Sequence, residues 1–160
     1  MEYTQAPQLS EEEIDALLKE ANTARICSLS PDGTIHAATV NYKYENGRIY
    51  ICSPKASRKS RNLKRNKNVT VLIDIVGSTL SDFKGVMIQG NAAVKEVSFP
   101  EMLSISETWM PGDRLEAYTK RLFGMTTWVT ISIEPARTAS WDYGKDEAFA
   151  AVFREMEDTS

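Results

Sequence analysis

The chain has 160 residues, 42% of them apolar and 26% charged, and a net charge of −3. That length suits one compact domain with a real core, and the composition is that of an ordinary soluble protein with no apolar run long enough to span a membrane. The first thirty residues lack the basic-then-apolar layout of a signal peptide, so a cytoplasmic protein is expected.

The first element is a helix over about residues 10–22. Ser10 and Glu13 form a capping box, Leu9 can staple onto Ile14, and Ile14, Leu17, Leu18 and Ala21 make one apolar face. A strand over 25–29 then runs into Ser30-Pro31-Asp32-Gly33-Thr34, a turn in which Gly33 can supply positive φ. Residues 35–44 read as one strand leading to Asn46-Gly47, a strong hairpin signal, and 48–52 return with Ile49 and Ile51 on one face and Tyr50 and Cys52 on the other. Ser57 opens a short helix. Residues 69–76 are β-branched and almost continuous, which predicts a strand covered on both faces. A polar loop over 77–84 precedes a strand over 85–97, in which Gly90 marks a bulge or a close backbone approach.

Ser98 with Glu101 makes a second capping box with Pro100 in the first turn, and Pro111-Gly112 breaks the helix that follows near Trp109. Asp113 and Glu116 begin a further helix that ends at Gly124. Residues 126–133 alternate as the last long strand, which Pro135 interrupts before Trp141. The acidic tail over about 145–160 is expected to fray. The pattern predicts a single domain over 1–160, mainly β (α+β): a six-stranded antiparallel barrel with peripheral helices.

Charge is unevenly distributed. Seven basic residues and no acid lie between Lys55 and Lys67. A local basic patch on a mildly acidic protein fits a small anionic ligand better than a long polyanion, so nucleic-acid binding is disfavoured. Three of the cations, Arg58, Lys59 and Arg61, stand in the first turn of the helix that Ser57 opens. A helix N-terminus carries roughly half a positive charge, and each cation there is disfavoured by about 0.3–1 kcal/mol. A solvated basic helix is the simple explanation on charge alone. A phosphate dianion would turn the penalty into an attraction, with Arg58 as a planar fork, Lys59 as a mobile point charge and Ser57 as cap or donor. Ser53, at the end of the preceding strand, and Thr39, read as lying across the hairpin, are placed beside it. Arg61 either adds to the field or faces water. Lys64, Arg65 and Lys67 read as solvated, and Leu63 as the residue that pins the helix to the barrel.

No catalytic constellation is visible. Cys27 and Cys52 sit in apolar β patterns as small buried thiols, and with the single His36 they offer no metal-ligand spacing. His36 reads as structural. Trp109, Trp128 and Trp141 read as core or interface residues.

From about Ala21 to Tyr143 the chain resembles the pyridoxamine 5′-phosphate oxidase-like family of flavin-binding split barrels. The resemblance rests on R-I-C-S-L-S-P-D-G-T-I-H-A-A-T-V, I-Y-I-C-S-P-K-A-S-R-K-S-R-N-L, G-V-M-I-Q-G-N-A and the closing I-S-I-E-P-A-R. The S-R-K element after a strand is its most specific part. The resemblance implies a split β-barrel that forms a homodimer, with FMN at the interface. Arg58 and Lys59 would then hold the flavin phosphate with Ser57 beside them. Cys52 and Ser53 would line the strand edge, and Thr39 and Val40 would offer backbone to the ring. Lys84 would pass the ring edge, and Trp141 would come from the other subunit. A deazaflavin presents the same tricyclic ring and phosphate-bearing tail and is the alternative cofactor. The arginine-containing C-terminal signature with which true pyridoxamine phosphate oxidases hold substrate is not seen, so that reaction is not expected. The resemblance implies instead a flavin-dependent oxidoreductase with a small-molecule substrate and an electron donor, or a flavin-binding redox sensor without turnover.

Overall fold

The computed structural model describes residues 6–110 and 112–157. Pro111, read above as a helix breaker, lies outside the described residues, as does the tail beyond Glu157.

Helix α1 (Glu11–Glu20) starts as its sequence requires. Ser10 Oγ accepts from the Glu13 N–H at 3.2 Å, while Glu13 Oε2 accepts from the Ser10 N–H at 2.7 Å, and Leu17 and Leu18 are buried. Strands β1 (Thr23–Leu29) and β2 (Ile35–Asn41) form the first hairpin, in register from Thr23↔Asn41 to Leu29↔Ile35, with Gly33 at φ 84° in the turn. The predicted strand 35–44 is cut in two. At Tyr42 the chain turns inward: the ring is 1% exposed, its Oη donates to the Leu18 carbonyl at 2.7 Å, and its N–H donates to the Asn22 carbonyl. Residue 42 therefore pairs with the end of α1 instead of a neighbouring strand. A separate strand β3 (Lys43–Glu45) follows, and among the described residues the sheet has seven strands where the sequence predicts six.

β3 joins β4 (Arg48–Pro54) through Asn46 and Gly47, both at positive φ, as a two-residue primed turn demands. Helix α2 (Arg58–Arg65), strand β5 (Asn68–Ile75) and strand β6 (Lys84–Glu96) come next. On β5 one face, Val69, Val71 and Ile73, is buried, whereas Thr70, Leu72 and Asp74 are half-exposed, so the strand is less covered than its apolar run predicts.

Helices α3 (Phe99–Ser106) and α4 (Gly112–Met125) pack on each other, with Phe99 and Phe123 edge to face at 5.7 Å. Only half of the second capping box forms. Ser98 Oγ accepts from the Glu101 N–H, but the Glu101 carboxylate turns to the Thr130 hydroxyl at 3.1 Å.

The last strand, β7 (Trp128–Asp142), outruns its expected end because Pro135 falls at an irregularity. The β6–β7 register shifts between Gln89 and Gly90, Gly90 faces Pro135, and a Cβ on Gly90 would lie 2.1 Å from the Glu134 carbonyl oxygen. Proline is tolerated at such a bulge, where its missing donor costs no ladder bond. The segment expected to fray forms a short turn and helix α5 (Glu147–Glu157).

All pairings are antiparallel, in the order β2-β1-β5-β6-β7-β4-β3. Its two outermost strands, β2 and β3, are joined by the single residue Tyr42. Only a sheet curled on itself can meet that constraint, so the architecture is a split barrel with an open seam between β2 and β4. Ile26, Ile49, Ile51, Val71, Ile73, Val86, Ile88, Ile131 and Ile133 fill its interior, and Leu63 of α2 closes one end.

Candidate anion-binding site at the start of helix α2

β4 alternates cleanly, so Ile49, Ile51 and Ser53 point into the barrel while Tyr50 and Cys52 face the other way, half-buried. The chain then turns, with the Ser57 N–H donating to the Pro54 carbonyl at 3.0 Å, and Ser57 caps α2 by accepting from the Ser60 N–H at 3.3 Å. Three hydroxyls close a ring here: Ser53 Oγ is 2.9 Å from Ser57 Oγ and 3.0 Å from Ser60 Oγ, and the latter two are 2.9 Å apart. Ser60 Oγ also reaches the Pro54 carbonyl at 2.9 Å. If Ser60 spends its proton on that carbonyl, the proton of Ser57 is not needed to satisfy any buried acceptor. The ring thus fixes Ser57 in place and leaves its proton able to swing toward an anion at the helix start.

Arg58 and Lys59 diverge from this point. Lys59 is half-buried, and among the described residues no ion pair or hydrogen bond involves its ammonium. Burial holds its pKa below the ordinary lysine value of 10.5. An uncompensated, partly desolvated cation is costly, and an anion in contact removes the cost. Lys59 lines a cleft of about 300 Å³ together with Thr39, Val40 and Cys52; Trp109, Tyr118 and Trp128 are among the residues that complete its walls. Trp109 and Tyr118 meet edge to face at 6.1 Å, and Trp128 Nε1 donates to the Leu122 carbonyl at 2.7 Å, which fixes the indole. Arg58 is exposed and faces the opposite side, toward the 30–34 turn.

The structure therefore gathers Thr39, Val40, Cys52 and Lys59 into one cleft, with Ser57 at the adjacent helix start. Ser53 is fully buried and acts on Ser57 through the hydroxyl ring. Thr39 arrives by a different route from the one read in the sequence. It lies on β2, opposite Arg25 of β1, and not on the strand paired with β4; the curl of the sheet brings it across the seam. Lys84 and Trp141 stand away from this cleft on β6 and β7, where Lys84 pairs with Asp142 and the Trp141 ring lies over Gly85. Trp141 belongs to a separate open cleft between the N-terminal segment and β7. The wall built by α3, α4 and the residues that follow each of them is not legible in the sequence. Trp109 and Trp128 are noticeable in the sequence, but nothing local says that they face β2.

Cys52 carries a testable consequence. Burial, with the Glu101 carboxylate adding, pushes its thiol up to about 12. The folded state favours the protonated thiol, so this contribution to stability is complete below the ordinary value of 9.0 and is lost as the pH rises toward 12. At pH 8 we expect iodoacetamide to modify Cys52 far more slowly in the native protein than in the urea-unfolded chain, read by mass spectrometry of its peptide. Equal rates would mean that the thiol is neither buried nor shifted.

An antiparallel split barrel with a basic, serine-capped helix beside its open seam defines a recognisable class. The chain belongs to the pyridoxamine 5′-phosphate oxidase family, whose family model matches residues 10–139. Among solved structures it is similar to a conserved hypothetical protein of Mycobacterium tuberculosis, with 26% identity, a TM-score of 0.74, and coverage of 88% of this chain and 91% of the other. It also shares its fold with an FAD-binding protein of Mesorhizobium loti (17% identity, TM-score 0.62, 84% and 93% of the two chains). The heme storage protein HutZ of Vibrio cholerae has the same fold (14% identity, TM-score 0.65, 84% and 97%). No curated protein matches the chain. Among the described residues no helix is long and apolar enough to cross a membrane, and no three His, Cys, Asp or Glu residues are placed to hold a metal ion.

Proposed function

We propose that the protein binds FMN in the cleft at the seam and acts as a flavin-dependent oxidoreductase on a small molecule. The observation that carries this reading is the half-buried, unpartnered ammonium of Lys59, set beside a capped helix start in an aromatic-walled cleft. A flat ring would lie between β2 and the Trp109–Tyr118 wall, and a phosphate on its side chain would meet Ser57 and Lys59 at the helix start, with Arg58 adding charge from the other side of the helix. Family membership and the FAD-binding relative support a flavin. A deazaflavin with a phosphate-bearing tail satisfies the same residues.

A flavin held by Ser57 and Lys59 would supply redox chemistry between a hydride donor and an electron acceptor. The chain's own residues anchor the phosphate, orient the ring and exclude water, which is why no acid–base pair is needed in the cleft. Haem is the poorer fit: His36 is the one histidine of the sequence and does not line the cleft. A redox sensor that binds flavin without turnover uses the same residues. Rapid bleaching of bound flavin by NADPH or NADH, then reoxidation by an acceptor, separates the enzyme from the sensor.

The cleft is open on one side, and Lys84 and Trp141 are remote from it within one chain. In the proposed homodimer these two residues would complete the partner's site. The direct test is the ultraviolet–visible spectrum on titration with FMN and with riboflavin, which lacks the phosphate. FMN should shift the flavin bands and bind roughly thirtyfold to a thousandfold more tightly, the combined worth of the charge-assisted phosphate contacts. Equal affinities would remove the phosphate from this site, and no binding of FMN or a deazaflavin would remove the proposal.

A further inference from the structure

A second groove flanks the same helix. It runs between the 30–34 turn and α2, holds about 490 Å³, and is lined by Arg58, Arg61 and Arg65 together with Ser30, Asp32 and Asn62. The three arginines stand at i, i+3 and i+7, on one face of α2, and rise about 10 Å along its axis. Like charges at these spacings destabilise a helix unless something neutralises them. Among the described residues none of the three is in an ion pair. Among the described residues the only carboxylate in the groove is Asp32; it is occupied by the hydroxyl and N–H of Thr34, at 2.7 and 3.0 Å, and these bonds hold its pKa below the usual range, with Arg58 adding a little. Arg65 is anchored through a bond to the Leu29 carbonyl, so the far end of the stripe is held against the barrel. Three guanidiniums therefore share one groove with one carboxylate already spoken for.

We infer that this groove is a second anion site, which takes the further phosphate of a dinucleotide. Arg58 stands at the first helical position, next in sequence to Lys59, so the groove and the Lys59 cleft flank the same helix start from its two sides. A mononucleotide anchored there ends at its single phosphate and leaves Arg61 and Arg65 unused. A dinucleotide carries a second phosphate past Arg58 to the planar forks of Arg61 and Arg65, which suit bidentate phosphate contacts. The dinucleotide is either the cofactor itself, in the form of FAD, or the nicotinamide donor. In assigning the ligand to a dinucleotide the inference rests on the flavin reading; the anion groove stands apart from it.

The test compares wild type with Arg61→Gln, which removes an exposed cation that holds no partner, and uses thermal melts to confirm folding. Inorganic pyrophosphate, titrated calorimetrically, should bind wild type and weaken about tenfold in Arg61→Gln. Equal binding in the two proteins, or none in wild type, overturns the groove. FAD should then bind about tenfold more tightly than FMN, with the difference lost in Arg61→Gln while FMN stays within about twofold; that outcome assigns the groove to the cofactor's tail. If FAD and FMN bind alike, a roughly tenfold rise in KM for NADPH or NADH in FMN-loaded Arg61→Gln assigns it to the donor. If neither nucleotide responds, the dinucleotide assignment is overturned. Intact pyrophosphate binding in a protein that takes up no flavin supports the groove and counts against the flavin reading alone.

Discussion

Replacing Lys59 and Arg58 together with alanine is expected to lower FMN affinity by about 2–4 kcal/mol, roughly thirtyfold to a thousandfold. The two residues do not share this loss equally. A hydrogen bond to a charged group is worth about 1.5–3 kcal/mol, and Lys59, half-buried, realises most of that value. Arg58 is exposed, and solvent screening reduces its share. Lys59→Ala alone should therefore account for most of the effect, measured by quenching of flavin fluorescence on titration. The pH dependence follows from the same burial. Because Lys59 is held below the ordinary lysine value, affinity should begin to fall at a pH lower than a free lysine would give, as the ammonium loses its proton. Unchanged affinity in a folded double variant would mean that the phosphate is held elsewhere.

Truncating Leu63 to alanine is expected to cost about 2–5 kcal/mol of stability. Leu63 is 2% exposed and fills the end of the barrel under α2, so its removal leaves a cavity that the neighbouring strands are too stiff to close. Leu63→Met keeps the volume and should cost less than about 1.5 kcal/mol. Urea unfolding followed by tryptophan fluorescence reads both variants. A loss under about 1 kcal/mol for Leu63→Ala would show that α2 is held mainly by polar contacts, of which Asn62 Nδ2 to Ser28 Oγ at 3.1 Å is the chief candidate. The two experiments bear on each other, because Leu63 and Lys59 lie four residues apart on the face of α2 that meets the barrel.

Local signals were legible where local chemistry decides. The Ser10–Glu13 box, the Asn46-Gly47 turn, the Ser57 cap and the close approach at Gly90 each depend on residues a few positions apart, or on a conformation or clearance that only glycine supplies. The strand break at Tyr42 was not legible. Residues 35–44 keep a β pattern throughout, and what interrupts them is a phenol reaching the end of a helix 24 residues earlier. The same limit applies to the site. The basic helix start stands in the sequence, but the divergence of Arg58 from Lys59 follows from which side of α2 meets the seam. Thr39 reaches Cys52 only through the order of strands, which hairpin signals do not contain. Pro135 misled for a related reason, since its tolerance depends on Gly90 of another strand.

The order of the strands also determines when the cleft can exist during folding. Hairpins β1–β2, β3–β4, β5–β6 and β6–β7 connect neighbours in the chain, whereas the β4–β7 ladder joins Ile51 to Ile131. Closing a loop of ~80 residues carries an entropy cost that local pairs avoid, and such non-local pairing slows folding. Until that ladder zips, Cys52 has no wall from Trp128 and Lys59 has no partly dry surroundings. The nascent chain can assemble its hairpins early, yet it gains a pocket for a small molecule only once this long-range ladder has formed.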